Sequence, residues 1–409
     1  MQLKSSLTTT LGRVVLGICL GWFASSAQAS LVKRIDTGKP WQTECIGYHS
    51  LQVPGMVNYA AIAPEHMAPF NPYWELPSSS APAWGMEVVP DPSVLDGITW
   101  KRQLIYLSLP TTPNSLKLIM DRINSKQEHE KQILEEESDR WAKRGDPSYA
   151  REVRGKASEL RFYKPVPGMQ AIADDDGKFT HFYAYLDNHR IIQALLPSQA
   201  TPAQTIEGFL QHYSTREPFS IPDKPGNCLP YGFYQGGKQM AYNNITFSVS
   251  VHPEIVINFW AGDASDGAID PREKIINQLR DELAQSEEVL PLDGRIKPSH
   301  SITIDGQEGL GHFALVRRKV SDPASAYDQK YGLDNPYTKD HSDWVYVAAA
   351  PGKVGGKPGE SFNVIIKIER FGRFAPEPPG QQMTEKQFRA FAKKLVEGIH
   401  RRSGAWIEH

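Results

Sequence analysis

Cysteine is scarce in this sequence, with 3 among 409 residues, so at most one disulfide can form within the chain. An excess of charge of one sign is also missing. Lys+Arg total 45 against 47 Asp+Glu, a formal net charge of −2. That leaves no basic footprint of the kind nucleic acid demands. The apolar run at 14–24 has eleven residues, short of the roughly 20 that a bilayer-spanning helix needs. The nucleophile elbow Gly-x-Ser-x-Gly is absent. Its nearest relative, Gly262-Asp-Ala-Ser265-Asp-Gly267, carries one residue too many and reads as a loop. No His-Glu-x-x-His zinc helix occurs, and the 12 histidines are scattered. Asp174-Asp175-Asp176-Gly177 has a calcium-like composition without the spaced ligands or distal glutamate of a calcium loop. It reads as a turn. The glycines of loop 352–359 lead into a strand, whereas a phosphate cradle needs a helix N-terminus. No catalytic residue, cofactor or metal ligand is therefore assigned.

The remaining composition is that of a folded protein. Apolar residues make up 40% and charged residues 22%, with 9 Trp, 16 Tyr and 16 Phe available for cores. At roughly 150 residues per domain, the length points to two or three domains. The first residues read as an address. Lys4 and Arg13 precede the apolar run, and Ala27-Gln28-Ala29 is a small-x-small cleavage site. Cleavage after Ala29 is expected. Subtracting Lys4 and Arg13 takes the charge from −2 to −4. Ile18 precedes Cys19, where a lipoprotein signal wants a small residue, so a soluble exported chain without a stable membrane anchor is favoured. Two cysteines remain, Cys45 and Cys228. In an oxidising compartment they form a disulfide or stay as two buried thiols.

Short strands are expected over 39–63, and an extended, proline-punctuated stretch over 64–92. A buried strand follows at 100–109. The stripe Leu116, Ile119, Met120, Ile123, Ile133, Leu134 and Trp141 predicts one helix over 114–144. A hairpin is expected at 179–196 and a helix at 201–213, with Thr201 as N-cap and Pro202 at the first helical position. Strands are read at 243–261, 344–349 and 362–368, a helix opens at Asp270-Pro271, and Asp305-Gly306 turns a hairpin. A closing helix from Thr384 to Arg402 opens with a capping box formed with Gln387. Hairpins with interspersed helices make an α+β fold of antiparallel sheets, with a boundary near 214–217.

Several segments carry a resemblance. Cys45-Ile-Gly47-Tyr48-His49-Ser-Leu51-Gln-Val53-Pro54 resembles the opening motif of periplasmic immunity proteins. These protect bacteria against phospholipase effectors of the type VI secretion system, the fourth lipase-effector class. Ile221-Pro-Asp-Lys-Pro225-Gly226-Asn-Cys228, with Gly232-Phe233, is similar to the entry of that family's C-terminal domain. His252-Pro253-Glu254, Ile304-Asp305-Gly306 and the closing Arg402-Ser-Gly404-Ala405-Trp406 also match in outline. Tyr48 stands where the family favours Arg, and the turn read at Asn227-Cys228-Leu229-Pro230 is less acidic than usual. With the leader read at 1–29, the resemblance implies immunity domains at 30–215 and 216–409 and a crevice between them. It also implies a non-enzymatic protein that binds a cognate secreted phospholipase and occludes its lid or active-site entrance. Trp74, Trp84, Tyr234, Tyr337 and loop 352–359 are candidate contacts, each also readable as packing. An exported hydrolase with an unrecognised site, or an envelope assembly protein, are the alternatives.

Overall fold

The computed structural model describes residues 40–67, 86–89, 103–236, 242–264, 288–290, 299–318, 341–355, 360–370 and 383–405. The leader, Trp74, Trp84, Tyr337, Ser265, the Asp270-Pro271 helix and most of the proline-rich stretch lie outside them.

The chain begins with β1 (Trp41–Ile46), β2 (His49–Pro54) and β3 (Val57–Tyr59), then one 3-10 turn at Pro64–His66. After β4 (Met86–Val89) and β5 (Gln103–Leu107) come α1 (Asn114–Lys143) and α2 (Pro147–Ser158). Next are β6 (Lys164–Pro165), β7 (Ala171–Asp175), β8 (Phe179–Tyr185), β9 (Ile191–Pro197) and α3 (Pro202–His212). The middle holds β10 (Tyr213–Thr215), β11 (Gly226–Leu229), β12 (Gly232–Gln235), β13 (Tyr242–Val249) and β14 (His252–Asp263). The last part holds β15 (Glu288–Leu290), β16 (His300–Ile304), β17 (Gln307–Arg318), β18 (His341–Ala350) and β19 (Phe362–Arg370). The chain closes with α4 (Glu385–Glu397) and β20 (His400–Arg401).

The architecture is α+β. A 14-stranded antiparallel sheet runs in the order β15-β17-β18-β19-β14-β13-β4-β5-β9-β8-β7-β6, with β16 also on β17 and β3 also on β13. Two smaller sheets, β1-β2-β20 and β10-β12-β11, each have three strands. Alternation explains the long strands: Ile245, Phe247 and Val249 of β13, with Ile255, Ile257 and Phe259 of β14, all face the main core. The expected turn at Asp305-Gly306 forms, with φ of 51° and 73°. Both residues on the positive side give the hairpin turn that matches strand twist, which asparagine, aspartate and glycine tolerate best.

Helix α3 starts as expected, with the Thr201 hydroxyl accepting from the Gln204 N–H at 3.2 Å. Helix α4 has its capping box: Gln387 N–H donates to Thr384 Oγ1 at 3.3 Å, and Thr384 N–H to Gln387 Oε1 at 2.8 Å. Phe388, Phe391, Ala392 and Leu395 bury its inner face. Each large side chain buried there contributes about 1.5–3 kcal/mol by area transfer. The helix ends at Glu397 rather than Arg402, because Gly398 caps it and the chain then pairs as β20 with β2.

Helix α1 spans the expected range, Asn114–Lys143, but the far half of its stripe departs from expectation. Leu116, Ile119 and Ile123 pack against Met67, Tyr163, Ile172, Tyr183 and Ile191. Arg122 fixes this root by donating to the carbonyls of Pro64, Glu65 and Met67. Asn124 clamps the returning chain: its amide N–H donates to Tyr163 O at 2.8 Å and its oxygen accepts from Tyr163 N–H at 2.9 Å. Beyond that the stripe no longer faces the core, and Ile133 is 49% exposed. The second half of α1 packs instead on α2, for which the sequence carries no expectation here. Asp146 caps α2 by accepting from Tyr149 N–H at 3.0 Å, and Pro147 occupies its first turn. Ala150, Val153 and Ala157 of α2 face α1, and Ser138 Oγ donates to Ala150 O at 2.8 Å. The two helices form an arm.

Candidate interaction site

Cys45 lies in β1 and Cys228 in β11, both fully buried, and they form a disulfide with Cα atoms 5.7 Å apart. The bond closes a sequence separation of 183 residues. In the chain-entropy account a loop that long is worth about 5 kcal/mol. Beside it, Gly47 N–H donates to Cys228 O at 2.8 Å and Cys228 N–H to Gly47 O at 2.9 Å. Gly47 has φ +60°, and a Cβ there would stand 2.8 Å from Asn243 Nδ2. The Cys-x-Gly spacing thus has a physical cause. The cysteine reaches β11 through sulfur, and two residues later the backbone reaches the same residue through hydrogen bonds. The strand continues through Leu229, and Tyr231, at φ 51°, makes the turn. The turn read at Asn227–Pro230 is therefore displaced towards β12.

Next to Cys45, Glu44 is fully buried. Its carboxylate accepts from Arg216 Nη2 at 2.6 Å, Tyr59 Oη at 2.9 Å and Phe219 N–H at 2.5 Å. Arg216 also donates to Cys45 O at 2.8 Å and Gly232 O at 3.1 Å. Burial holds the Tyr59 phenol well above the ordinary tyrosine range, so it remains a donor. Burial opposes the charge of Arg216, but Tyr59 and Glu44 outweigh it and keep the guanidinium's pKa above its usual value. A buried charge holds only when paired and hydrogen-bonded in this way.

The C-terminal tail closes the junction. Arg402 donates to Pro222 O at 2.7 Å, to Lys224 O at 3.0 Å and to Gly226 O. Its own N–H donates to Tyr48 O at 2.9 Å, and Gly226 N–H donates to Ala405 O at 2.8 Å. Gly226 has φ +150°, and a Cβ would fall 2.3 Å from Tyr234 O. Asp305 accepts from Arg401 N–H at 2.5 Å. His49 sits buried between the rings of Phe259 and Phe362, at 5.5 and 5.3 Å. Burial, with Arg401 adding to it, lowers its pKa to about 3, so the imidazole is neutral at ordinary pH.

The structure therefore brings together the segments around Cys45, Cys228, Asp305 and Arg402. It does not bring His252 there: that side chain packs on Phe391 at 5.9 Å and lies 3.6 Å from Glu254. Tyr234 is a buried packing residue against Phe209, at 5.4 Å, and not an exposed loop contact. The acids at 174–176 hold a turn: Asp176 accepts from Lys178 and Phe179 N–H, and Arg161 bridges Asp174 and Asp176 at 2.9 and 3.0 Å. In loop 352–359, Gly352 N–H is bound to Asn363 Oδ1 at 2.9 Å, and residues 356–359 lie outside the described residues. Among the described residues no group of three or more His, Cys, Asp or Glu is gathered as a metal site requires. No helix of the described residues is long and apolar enough to cross a membrane.

At the far end of the arm, Trp141 and Tyr149 meet edge to face at 5.0 Å, and the Arg144 guanidinium lies 5.2 Å from the Trp141 ring centre. Residues 142–148 are all exposed. The sequence reading placed Trp141 in a buried stripe. The signal for the helical break was Gly145-Asp146-Pro147, a flexible residue, a capping acid and a helix-opening proline.

Comparison with known proteins places solved immunity proteins beside this fold. The immunity protein TplEi of the type VI secretion system from Pseudomonas aeruginosa, complexed with an "L" peptide, is similar at 14% identity and a TM-score of 0.44. That match covers 90% of this chain and 99% of that one. TplEi in its apo form gives 12% identity and a TM-score of 0.45, over 91% of this chain and 100% of that one. A chain of the Tle4-Tli4 complex gives 13% identity and a TM-score of 0.46, again over 91% and 100%. No family model and no curated protein matches the sequence.

Proposed function

We propose that this chain is a periplasmic immunity protein. It is exported by the leader at 1–29, cleaved after Ala29, and it binds a cognate secreted phospholipase effector of the type VI system. It acts by occluding the lid or active-site entrance of that lipase and is not itself an enzyme. The observation that carries this reading is the convergence on one buried junction of segments that resemble the immunity family, around Cys45, Gly226 to Cys228, Asp305 and Arg402. Residues that specify a scaffold suit inhibition by occlusion, which needs shape and no chemistry. The division into immunity domains at 30–215 and 216–409, with a crevice between them, belongs to the same proposal.

The test uses the purified mature chain and the lipase encoded beside it. Phospholipase activity is measured against increasing amounts of this protein, with co-elution on a sizing column. Stoichiometric inhibition with a stable complex is the expected result. Undiminished lipase activity and separate elution would overturn the proposal and bring forward the hydrolase or envelope readings.

A further inference from the structure

We infer that the tip of the α1–α2 arm is a contact surface for the effector, docking a cationic, aromatic knob into an acidic recess of that protein. The inference rests on the function proposed above.

Ile123 is the last residue of α1 buried against the sheet. The twenty residues from there to Lys143 carry the tip about 30 Å away at 1.5 Å per residue. No residue of α1 beyond Ile123 and none of α2 joins the main core, and residues 142–148 at the far end are exposed. At that end the chain sets out Trp141, Tyr149 and Arg144, the residue types that dominate protein interfaces. Tyr149 meets Trp141 edge to face and Arg144 lies over the Trp141 ring, so the group is pre-shaped, which reduces the ordering cost of binding. Trp141 Nε1 is further held by Glu137 at 3.4 Å.

Charge points to the partner's chemistry. Arg144 lies over the Trp141 ring, and Arg140, Lys143 and Arg151 fall within three residues of Trp141 or Tyr149 in the chain, all exposed. Of the nearby acids, Asp146 is engaged on the N-cap of α2 and Glu137 on Trp141 Nε1. Further back, Glu128, Glu130, Glu135 and Glu136 outnumber Lys126 and Lys131, while Asp139 pairs with Arg154, so the shaft is acidic on balance. A basic tip on an acidic shaft directs only the tip towards an acidic surface, which fixes orientation as well as attraction. A lipid surface fits less well. Anchoring there requires a continuous apolar face, and the aromatic rings of this tip are turned against each other.

The experiment compares the mature wild-type chain with Lys143→Glu/Arg144→Glu and with Trp141→Ala. Each is titrated against the purified lipase, and each is also sedimented with vesicles of phosphatidylethanolamine and phosphatidylglycerol. Helix content by circular dichroism checks that the arm stays folded. The charge-reversal variant, whose side chains lie in solvent, keeps the test open if Trp141→Ala loosens the arm. Expected is a 100-fold or greater weakening of lipase binding by the charge reversal, unchanged helix content, and no vesicle binding by wild type. Wild-type affinity in the charge-reversal variant would overturn the inference and leave the immunity function standing. Vesicle binding that depends on Lys143 and Arg144 would also overturn it. Failure of the wild type to bind the lipase would remove the proposed function and this inference together.

Discussion

The junction around Cys45 and the arm built from α1 and α2 hold their shapes by different means. At the junction, residues from the start, middle and end of the chain interlock through a disulfide, a buried ion pair and backbone hydrogen bonds. In the arm, two neighbouring helices meet through small side chains, Ala150, Val153 and Ala157, and the surrounding charges are exposed. The first is rigid because many long-range partners must separate together. The second is a local unit with few buried contacts and lies at the low-stability end of the molecule. A binder of the kind proposed needs both: a fixed frame, and an element that reaches beyond it.

The sharpest way to break this contrast is to remove one side of the junction's ion pair. Glu44→Ala should cost about 3–5 kcal/mol in urea unfolding, because Arg216 is left buried and uncompensated. A loss below 1 kcal/mol would mean that water reaches the pair. Replacing Cys45 and Cys228 together by alanine should lower stability by about 2–5 kcal/mol, read as a shifted midpoint under non-reducing conditions. Reductant should then have no further effect.

Acid should attack the frame before the arm. Burial lowers His49 to about 3 and His181 well below the ordinary histidine value. The unfolded chain binds those protons first, near pH 6.5, so stability is full above that pH and falls as pH drops towards the folded values. Each histidine contributes a slope of about 1.4 kcal/mol per pH unit in that window. His49→Phe should make the slope shallower by one proton's worth. An unchanged slope would show that His49 takes up its proton without unfolding.

In the arm, Val153→Ala should cost about 1.5 kcal/mol from the lost methyl groups. The loss should appear as faster amide exchange over 125–158, with the sheet unaffected. Exchange rising across the whole molecule would show that the arm and the frame unfold as one. Breaking the exposed pair between Arg154 and Asp139, 2.9 Å apart, should change stability by less than about 0.5 kcal/mol.

Much of this was legible before any coordinates. The alternation of Ile245, Phe247 and Val249 marked β13, Thr384 and Gln387 marked the start of α4, and Asp305-Gly306 marked its hairpin, because each signal is local in the chain. The length of α1 is legible too, but not what the far half of its stripe packs against, because a partner helix and a domain core ask for the same apolar spacing. Leu134 and Trp141 satisfy that spacing, and only α2 reveals which surface they face.

The candidate junction was half visible. The residues around Cys45, Cys228 and Arg402 stood out as motifs, while Glu44 and Arg216 drew no notice. Residue types and short spacings decided the strands, caps, turns and cysteine pair, since those depend on backbone preference and nearest neighbours. The burial of Glu44 against Arg216, the lock of Arg402 on Gly226 and the packing of Trp141 on Tyr149 depended on which surfaces meet. That choice is made by packing the whole chain at once, and no local stretch of residues encodes it.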